Sequence, residues 1–198
     1  MSKMEIVDKI IEKRINEVRK ELSEKEFFVT DLVACYKKRE FRLKYPVLSY
    51  IDAIKSNFIL GYLVHRGIQS FLKEEFSADI EVSNKIKIDD YVLHGRIDAI
   101  IGDGNEKFGV EIKTARSDVG IPQEHHIDQA KIYNFLFDLP KTILLYVSPD
   151  RFTEFVVSDR FNEEEILNRM RNISSAPRYS WECKYCIYSQ ICSEKKIK

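Results

Sequence analysis

The chain has 198 residues, 44% of them hydrophobic, with 32 Lys and Arg set against 32 Asp and Glu. That length and apolar content suffice for one substantial core, so one domain over 1–198 is expected, and the balanced charge excludes a protein that binds nucleic acid through its global field instead of a local patch. No apolar run is long enough to span a bilayer and MSKMEIVDKIIEK lacks a signal-peptide core, so the chain reads as cytoplasmic and without membrane contact.

From Lys3 to about Leu22, Ile6, Ile10, Ile11, Ile15 and Val18 recur at helical spacing and predict a surface helix with one apolar stripe. Thr30 and Asp31 make a candidate N-cap for a second helix running toward Lys44, which carries Cys35. Its cluster of Lys37, Lys38, Arg39, Arg42 and Lys44 is the best local candidate for phosphate-backbone contacts, against the plainer reading of a solvated charged face. A long helix follows from about Ile51 to Phe76, with Ile54, Phe58, Gly61, His65, Ile68 and Leu72 on one face. His65 then points inward. Such a His is ordinarily a satisfied core residue, but Gly61 one turn earlier leaves room for a strand or a metal to come close.

A strand over Ile80–Asp89 leads into the stretch YVLHGRIDAIIGDGNEKFGVEIKTAR, Tyr91 to Arg116, which reads as a β-hairpin: two runs rich in Ile and Val flank Gly102, Asp103, Gly104 and Asn105. A turn centred between Gly104 and Asn105 places Asp98 opposite Glu111 and Arg96 opposite Lys113. The strand period puts these four on one face and Ile97, Ala99, Ile101, Val110 and Ile112 on the other. Like charges across a ladder repel unless a cation lies between them. Oxygen ligands at this density suit Mg²⁺ or Mn²⁺, which acidifies a bound water and holds a phosphate oxygen, and Lys113 stands where it can orient that water. The competing reading is an ordinary polar face.

The polar stretch after Arg116, with Glu124, His125 and His126, reads as a loop. A helix over Ile127–Phe137 follows, carrying Gln129 and Tyr133 on one face. Strands at Thr142–Val147 and Thr153–Val157 complete a sheet, and a helix over Asn162–Asn172 leads to WECKYCIYSQIC. There Cys183, Cys186 and Cys192 form C-x2-C-x5-C, and Cys35 is the remaining cysteine. Disulfides do not suit a reducing compartment, so the four thiols fit one site holding either structural Zn²⁺ or an iron-sulfur cluster. A zinc ribbon normally shows two C-x2-C knuckles, and only one stands here.

Asp98 followed by Glu111-Ile112-Lys113 resembles the PD-(D/E)xK nuclease signature, with Ile97 standing where the motif's name has Pro. Gly95-Arg96-Ile97-Asp98 is similar to the GxxD form of RecB-like nucleases, and Gly61-x-x-x-His65 and Gln129-x-x-x-Tyr133 resemble two further motifs of that family. With the four cysteines, the arrangement covers residues 35 to 192 and resembles CRISPR-associated exonucleases of the Cas-four type and related archaeal viral nucleases.

The resemblance implies an α/β fold with a PD-(D/E)xK, restriction-endonuclease-like core at about 50–160, a mixed central sheet flanked by helices. It implies a [4Fe-4S] cluster on Cys35, Cys183, Cys186 and Cys192, Zn²⁺ being the alternative, that staples about 25–45 to 175–198. The catalytic ion would be held by His65, Asp98, Glu111 and the carbonyl of Ile112, the imidazole tilting preference toward Mn²⁺ over Mg²⁺. Asp98, Glu111 and Lys113 would be catalytic, and Gln129 and Tyr133 would contact substrate. The implied activity is metal-dependent cleavage of single-stranded DNA from an end, trimming fragments before integration as spacers, with CRISPR integration proteins as partners. A viral or repair nuclease outside CRISPR, and a DNA-end adaptor that does not cut, are the other readings.

Overall fold

A computed structural model of the chain describes residues 5–18, 23–171 and 176–196. Its strands are β1 (Glu26–Phe28), β2 (Asp79–Ile88), β3 (Tyr91–Ile101), β4 (Phe108–Thr114), β5 (Thr142–Val147) and β6 (Phe152–Val157). β2 and β3 form a hairpin that pairs from Ile88 with Tyr91 to Asp79 with Ile100. The other edge of β3 is shared, with β1 parallel to Val92–His94 and β4 antiparallel to Ala99–Ile101. Between them residues 95–98 face no strand. β4 also pairs in parallel with β5, and β6 closes the order β1-β3-β4-β5-β6 with β2 on the outer side of β3.

The helices are α1 (Glu5–Val18), α2 (Val29–Leu32), α3 (Tyr36–Lys44), α4 (Ser49–Ala53), α5 (Ser56–Phe76), α6 (Glu124–Leu136), α7 (Glu163–Arg171) and α8 (Glu182–Tyr185). Parallel β4 and β5 require a crossover, and α6 supplies it. One core packs Leu93 and Ile97 of the sheet against Leu32, Ile132, Ile166 and Met170 from α2, α6 and α7. A second packs Leu72 of α5 on Ala99, Val110 and Ile112. This is the expected mixed α/β architecture, a central sheet with helices on both faces. Among the described residues no helix is long and apolar enough to cross a membrane.

Several expected elements change on folding. The expected face of Ile97, Ala99, Ile101, Val110 and Ile112 is divided, since Ile97 packs in the first core and Ala99 in the second. Between them, opposite Asp98, Glu81 takes φ 57° and leaves the β2–β3 ladder. The helix from Thr30 to Lys44 is two helices. Asp31 is no N-cap: it accepts the Phe28 N–H at 2.9 Å and Arg42 Nη2 at 2.8 Å, and the chain breaks at Val33 so that Cys35 opens α3. The long helix breaks at Ile54, which is 45% exposed along with Phe58 at 46%, so the expected apolar face is not buried at this end. Glu124, His125 and His126 form the first turn of α6, not a loop. Strand β1 was not expected, three residues being too few to show alternation. Asn162 does cap α7, in a reciprocal pair with Glu165 at 2.8 and 2.9 Å. In α1, Ile10, Ile11 and Ile15 are half-buried but Ile6 is 77% exposed. Lys3, residues 19–22, the side chain of Val18 and Asn172 lie outside the described residues.

The basic cluster of α3 is largely spent inside the protein. Arg39 is 5% exposed, donates to the carbonyls of Glu24 and Glu26 at 2.7 and 2.9 Å, and lies 3.9 Å over the Phe27 ring. Lys37 pairs with Glu40 and Glu194 at 2.8 and 3.1 Å. Only Lys38 and Lys44 of the five stay exposed. Replacing Arg39 by Met takes this donor from the Glu24 and Glu26 carbonyls and leaves a gap over the Phe27 ring, lowering stability by about 2 kcal/mol. The expected fall in melting temperature is about 4–8 °C; an unchanged midpoint would show that Arg39 does not hold β1 to α3.

Candidate active site

The pairing of β3 with β4 runs in the expected register, Ala99 with Val110 and Ile101 with Phe108, and then stops. One residue further on, the strands fork. Asp98 does not face Glu111 across a continued ladder; its Oδ2 accepts the Ile112 N–H at 2.7 Å. A side-chain carboxylate thus stands where a strand carbonyl would have been. Arg96 does not face Lys113 either, and pairs instead with Glu81 at 2.7 Å. Beyond the fork β4 is held by β5, with Glu111 beside Leu144 and Lys113 beside Tyr146.

Into this fork come side chains from α5 and α6. His65 of α5 brings Nδ1 to 3.4 Å from Asp98 Oδ2. Gly61, one turn earlier, lets α5 lie against the end of β4, where an added Cβ would meet Thr114 Oγ1 at 3.0 Å. Gln129 of α6 donates from Nε2 to Glu111 Oε1 at 2.9 Å and accepts from Lys113 Nζ at 2.7 Å, while Lys113 itself donates to Glu111 Oε1 at 2.9 Å. Tyr133 receives a hydrogen bond from Gln129 at 3.0 Å and donates to the Arg96 carbonyl, on the unpaired edge of β3, at 2.8 Å. Gln129 and Tyr133 are 4% and 3% exposed, and their polar atoms brace Glu111, Lys113 and the Arg96 carbonyl while both residues line the cavity beside them. All six side chains adjoin a cavity of about 530 Å³, either lining it or, for Lys113, bonded to residues that do, and Arg14 of α1 and Arg66 of α5 line it too.

The electrostatics of Glu111 set the chemistry. Its carboxyl is pushed up to about 7, first by burial and further by the nearby Asp98, while Lys113 and His65 oppose the rise. Its Oε2 is buried without a hydrogen-bond partner. A buried carboxylate oxygen with no donor fits a cation ligand, and Asp98 and His65 are the neighbouring donors. As they stand, no group of three or more His, Cys, Asp or Glu among the described residues has metal-ligand spacing. Sequence reasoning passed over two residues here. Gln69, one turn beyond His65 on α5, is 2% exposed and donates to Glu81 at 2.6 Å, a position that helical spacing from His65 indicates. Nothing in the sequence marks Glu81.

The paired histidines lie beside this site. His126 Nδ1 meets the Tyr146 hydroxyl at 2.6 Å, and His125 stacks toward Tyr179 and Trp181 at 5.6 and 5.2 Å. Burial first, then the positive charge of Lys113, brings His125 down to about 4 and His126 lower, so both are neutral at physiological pH. At the far side of α3, the Cys35 N–H donates to Glu182 at 2.6 Å and Phe41 stacks on buried Tyr188 at 5.6 Å. These contacts join the start of α3 to the segment bearing Cys183, Cys186 and Cys192. All four thiols are half-buried, and burial raises those of Cys35 and Cys186.

The chain is 37% identical over 198 residues to the CRISPR-associated exonuclease Cas4 of Saccharolobus solfataricus, covering 96% of each chain. The chain belongs to the Cas4 exonuclease family. The crystal structure of SSO0001 superposes on it with a TM-score of 0.91 at 36% identity over 98% of both chains. An alkaline exonuclease from Laribacter hongkongensis shares the fold, with a TM-score of 0.51 at 11% identity over 82% of this chain and 89% of its own. No protein-family profile matches the chain. For this Cas4-family chain, Tyr133→Phe removes the hydroxyl that joins Gln129 to the Arg96 carbonyl, and a loss of about 1–3 kcal/mol in urea unfolding is expected. An unchanged unfolding midpoint would mean that the Tyr133 hydroxyl does not support the fork.

Proposed function

We propose that the chain is a metal-dependent exonuclease of single-stranded DNA that trims DNA ends for CRISPR spacer acquisition, with 1–198 as one nuclease domain. Family membership makes it a nuclease hydrolase. The observation that carries the finer reading is the unpartnered, buried Oε2 of Glu111 beside Asp98 at the head of an open cavity. His65, Asp98, Glu111 and the carbonyl of Ile112 would hold Mn²⁺ or Mg²⁺. In an extended strand one residue's N–H and C=O point to the same side, so the Ile112 carbonyl opens into the fork as its N–H does. When bound, the ion would supply an acidified water and offset charge gathering on the scissile phosphate. Lys113, fixed by Gln129 and Glu111, keeps a positive Nζ beside the attacking water. Gln129 and Tyr133 hold this geometry from behind, and Arg66 presents positive charge toward the phosphate backbone, Arg14 being paired with Glu17 at 2.6 Å.

End-labelled single-stranded DNA incubated with Mn²⁺ tests this reading. The wild type shortens the DNA from an end, and Asp98→Ala and Lys113→Ala each lower the rate by about 10²-fold or more without unfolding the protein. Wild-type rates in both variants would remove the catalytic assignment.

The same proposal places a [4Fe-4S] cluster on Cys35, Cys183, Cys186 and Cys192. Cys186 is close enough to Cys35, Cys183 and Cys192 to feel their charge, and four thiolates brought onto one site would need a cation. Protein purified without oxygen is expected to be brown and to contain iron and sulfide. Cys186→Ala is expected to lose that colour and to melt well below Lys113→Ala. A colourless protein containing zinc would assign the site to Zn²⁺, and equal melting of the two variants would deny the site a structural role.

A further inference from the structure

A second cavity, of about 450 Å³, adjoins the active-site cavity, the two sharing Asn57 and Phe58 of α5 in their walls. Its remaining walls are Lys55, Arg116 just beyond β4, and Lys184 and Tyr185 of α8, ending at Cys186. In a chain whose formal charge is zero, this groove gathers three cations and, among the described residues lining it, no carboxylate. Neither Arg116 nor Lys184 has an acidic partner among the described residues; Lys184 instead lies 5.6 Å over the Tyr185 ring. Tyr185 is 58% exposed and Phe58 46% exposed. Trp181, four residues before Tyr185 and outside the groove lining, is 45% exposed and stacked on Tyr179 at 5.8 Å.

Cations at intervals between exposed aromatic rings are the features that hold a single strand: phosphates meet the charges, and unpaired bases lie on the rings. We propose that this groove binds the nucleotides of single-stranded DNA adjoining the phosphate at Asp98 and Glu111, with Lys55, Arg116 and Lys184 on the backbone and Phe58 and Tyr185 beneath the bases. The proposal rests on the nuclease reading above and adds the path of the strand. It also assigns a second role to the cysteine-bearing segment, which then guides substrate as well as closing the fold. Bases paired in a duplex cannot lie on these rings, so the groove selects single strands.

The test measures anisotropy of a fluorescein-labelled oligothymidylate, with EDTA present to prevent cleavage, across a series of salt concentrations. Arg116→Glu with Lys184→Glu is expected to weaken binding by about tenfold or more and to lower the slope of log K against log salt by about 1.4, two phosphate contacts at about 0.7 each. Tyr185→Ala is expected to weaken it by about fivefold or more. Because a variant in the cysteine segment can misfold, the wild type is also crosslinked to the same oligonucleotide carrying 4-thiothymidine. Adducts on Phe58 or Tyr185 support the groove, and adducts confined to other residues overturn it. Wild-type binding by the double variant, or equal affinity for a blunt duplex, overturns the groove while leaving the nuclease standing if Mn²⁺ restores cleavage. A wild type that neither binds nor cuts the single strand overturns both.

Discussion

The hydrogen bond from the Ile112 N–H to Asp98 is the constraint on which the site depends. An antiparallel pair would ordinarily run on, carbonyl to amide. Here the carboxylate ends it, satisfying the orphaned amide and letting β4 leave β3 for β5. The exposed inner edge of β3 would otherwise carry unpaired polar groups, and Tyr133 satisfies one of them at the Arg96 carbonyl. The fork is therefore stable because its loose ends are tied by side chains that also belong to the site. Opposite it, Glu81 in a left-handed conformation is held by Arg96 and Gln69, a local strain of the kind that persists where surrounding contacts over-determine it.

A second consequence follows from the parallel pairing of β4 and β5. The required crossover is α6, and its packing on the sheet places Gln129 over Glu111 and Lys113. The result is a carboxylate and an ammonium nearly dry, each hydrogen-bonded, with one carboxylate oxygen left over. Burying such a pair is unfavourable without full pairing, and the residual demand for positive charge is what makes the fork suited to a cation. Burial also holds the neighbouring His125 and His126 neutral, so they add no charge beside Lys113.

The C-terminal segment packs on α3. Contacts among Cys35, Lys37 and Phe41 on one side and Glu182, Tyr188 and Glu194 on the other hold the C-terminal segment against α3. The same segment turns Lys184 and Tyr185 toward the end of α5, whose exposed Phe58 reaches into both cavities. Phe58 was expected on a buried face. It stands in the first turn of α5, just past the break at Ile54, and gives the two cavities a common wall.

Much of this was legible in the sequence because it is local. The turn chemistry at Gly102 to Asn105 set the hairpin register, the alternation of β4 separated Glu111 and Lys113 from Val110 and Ile112, and helical spacing put Gly61 with His65 and Gln129 with Tyr133. Boundaries failed where a non-local contact intervened: Asp31 serves Phe28 and Arg42 inside a short helix, and Arg39 Nη2 is spent on carbonyls at the start of a strand too short to recognise. The roles of Gln129 and Tyr133 were also beyond spacing, which says that two residues share a face but not what that face meets. By itself the sequence determined the order of elements and the residue types along one strand or one helix face, since those follow from backbone periodicity and turn preference. Only the tertiary structure decided where the β3–β4 ladder ends, which carboxylate oxygen is left without a partner and which cations line one groove, because each depends on how separate elements compete for the same hydrogen bonds and the same buried space.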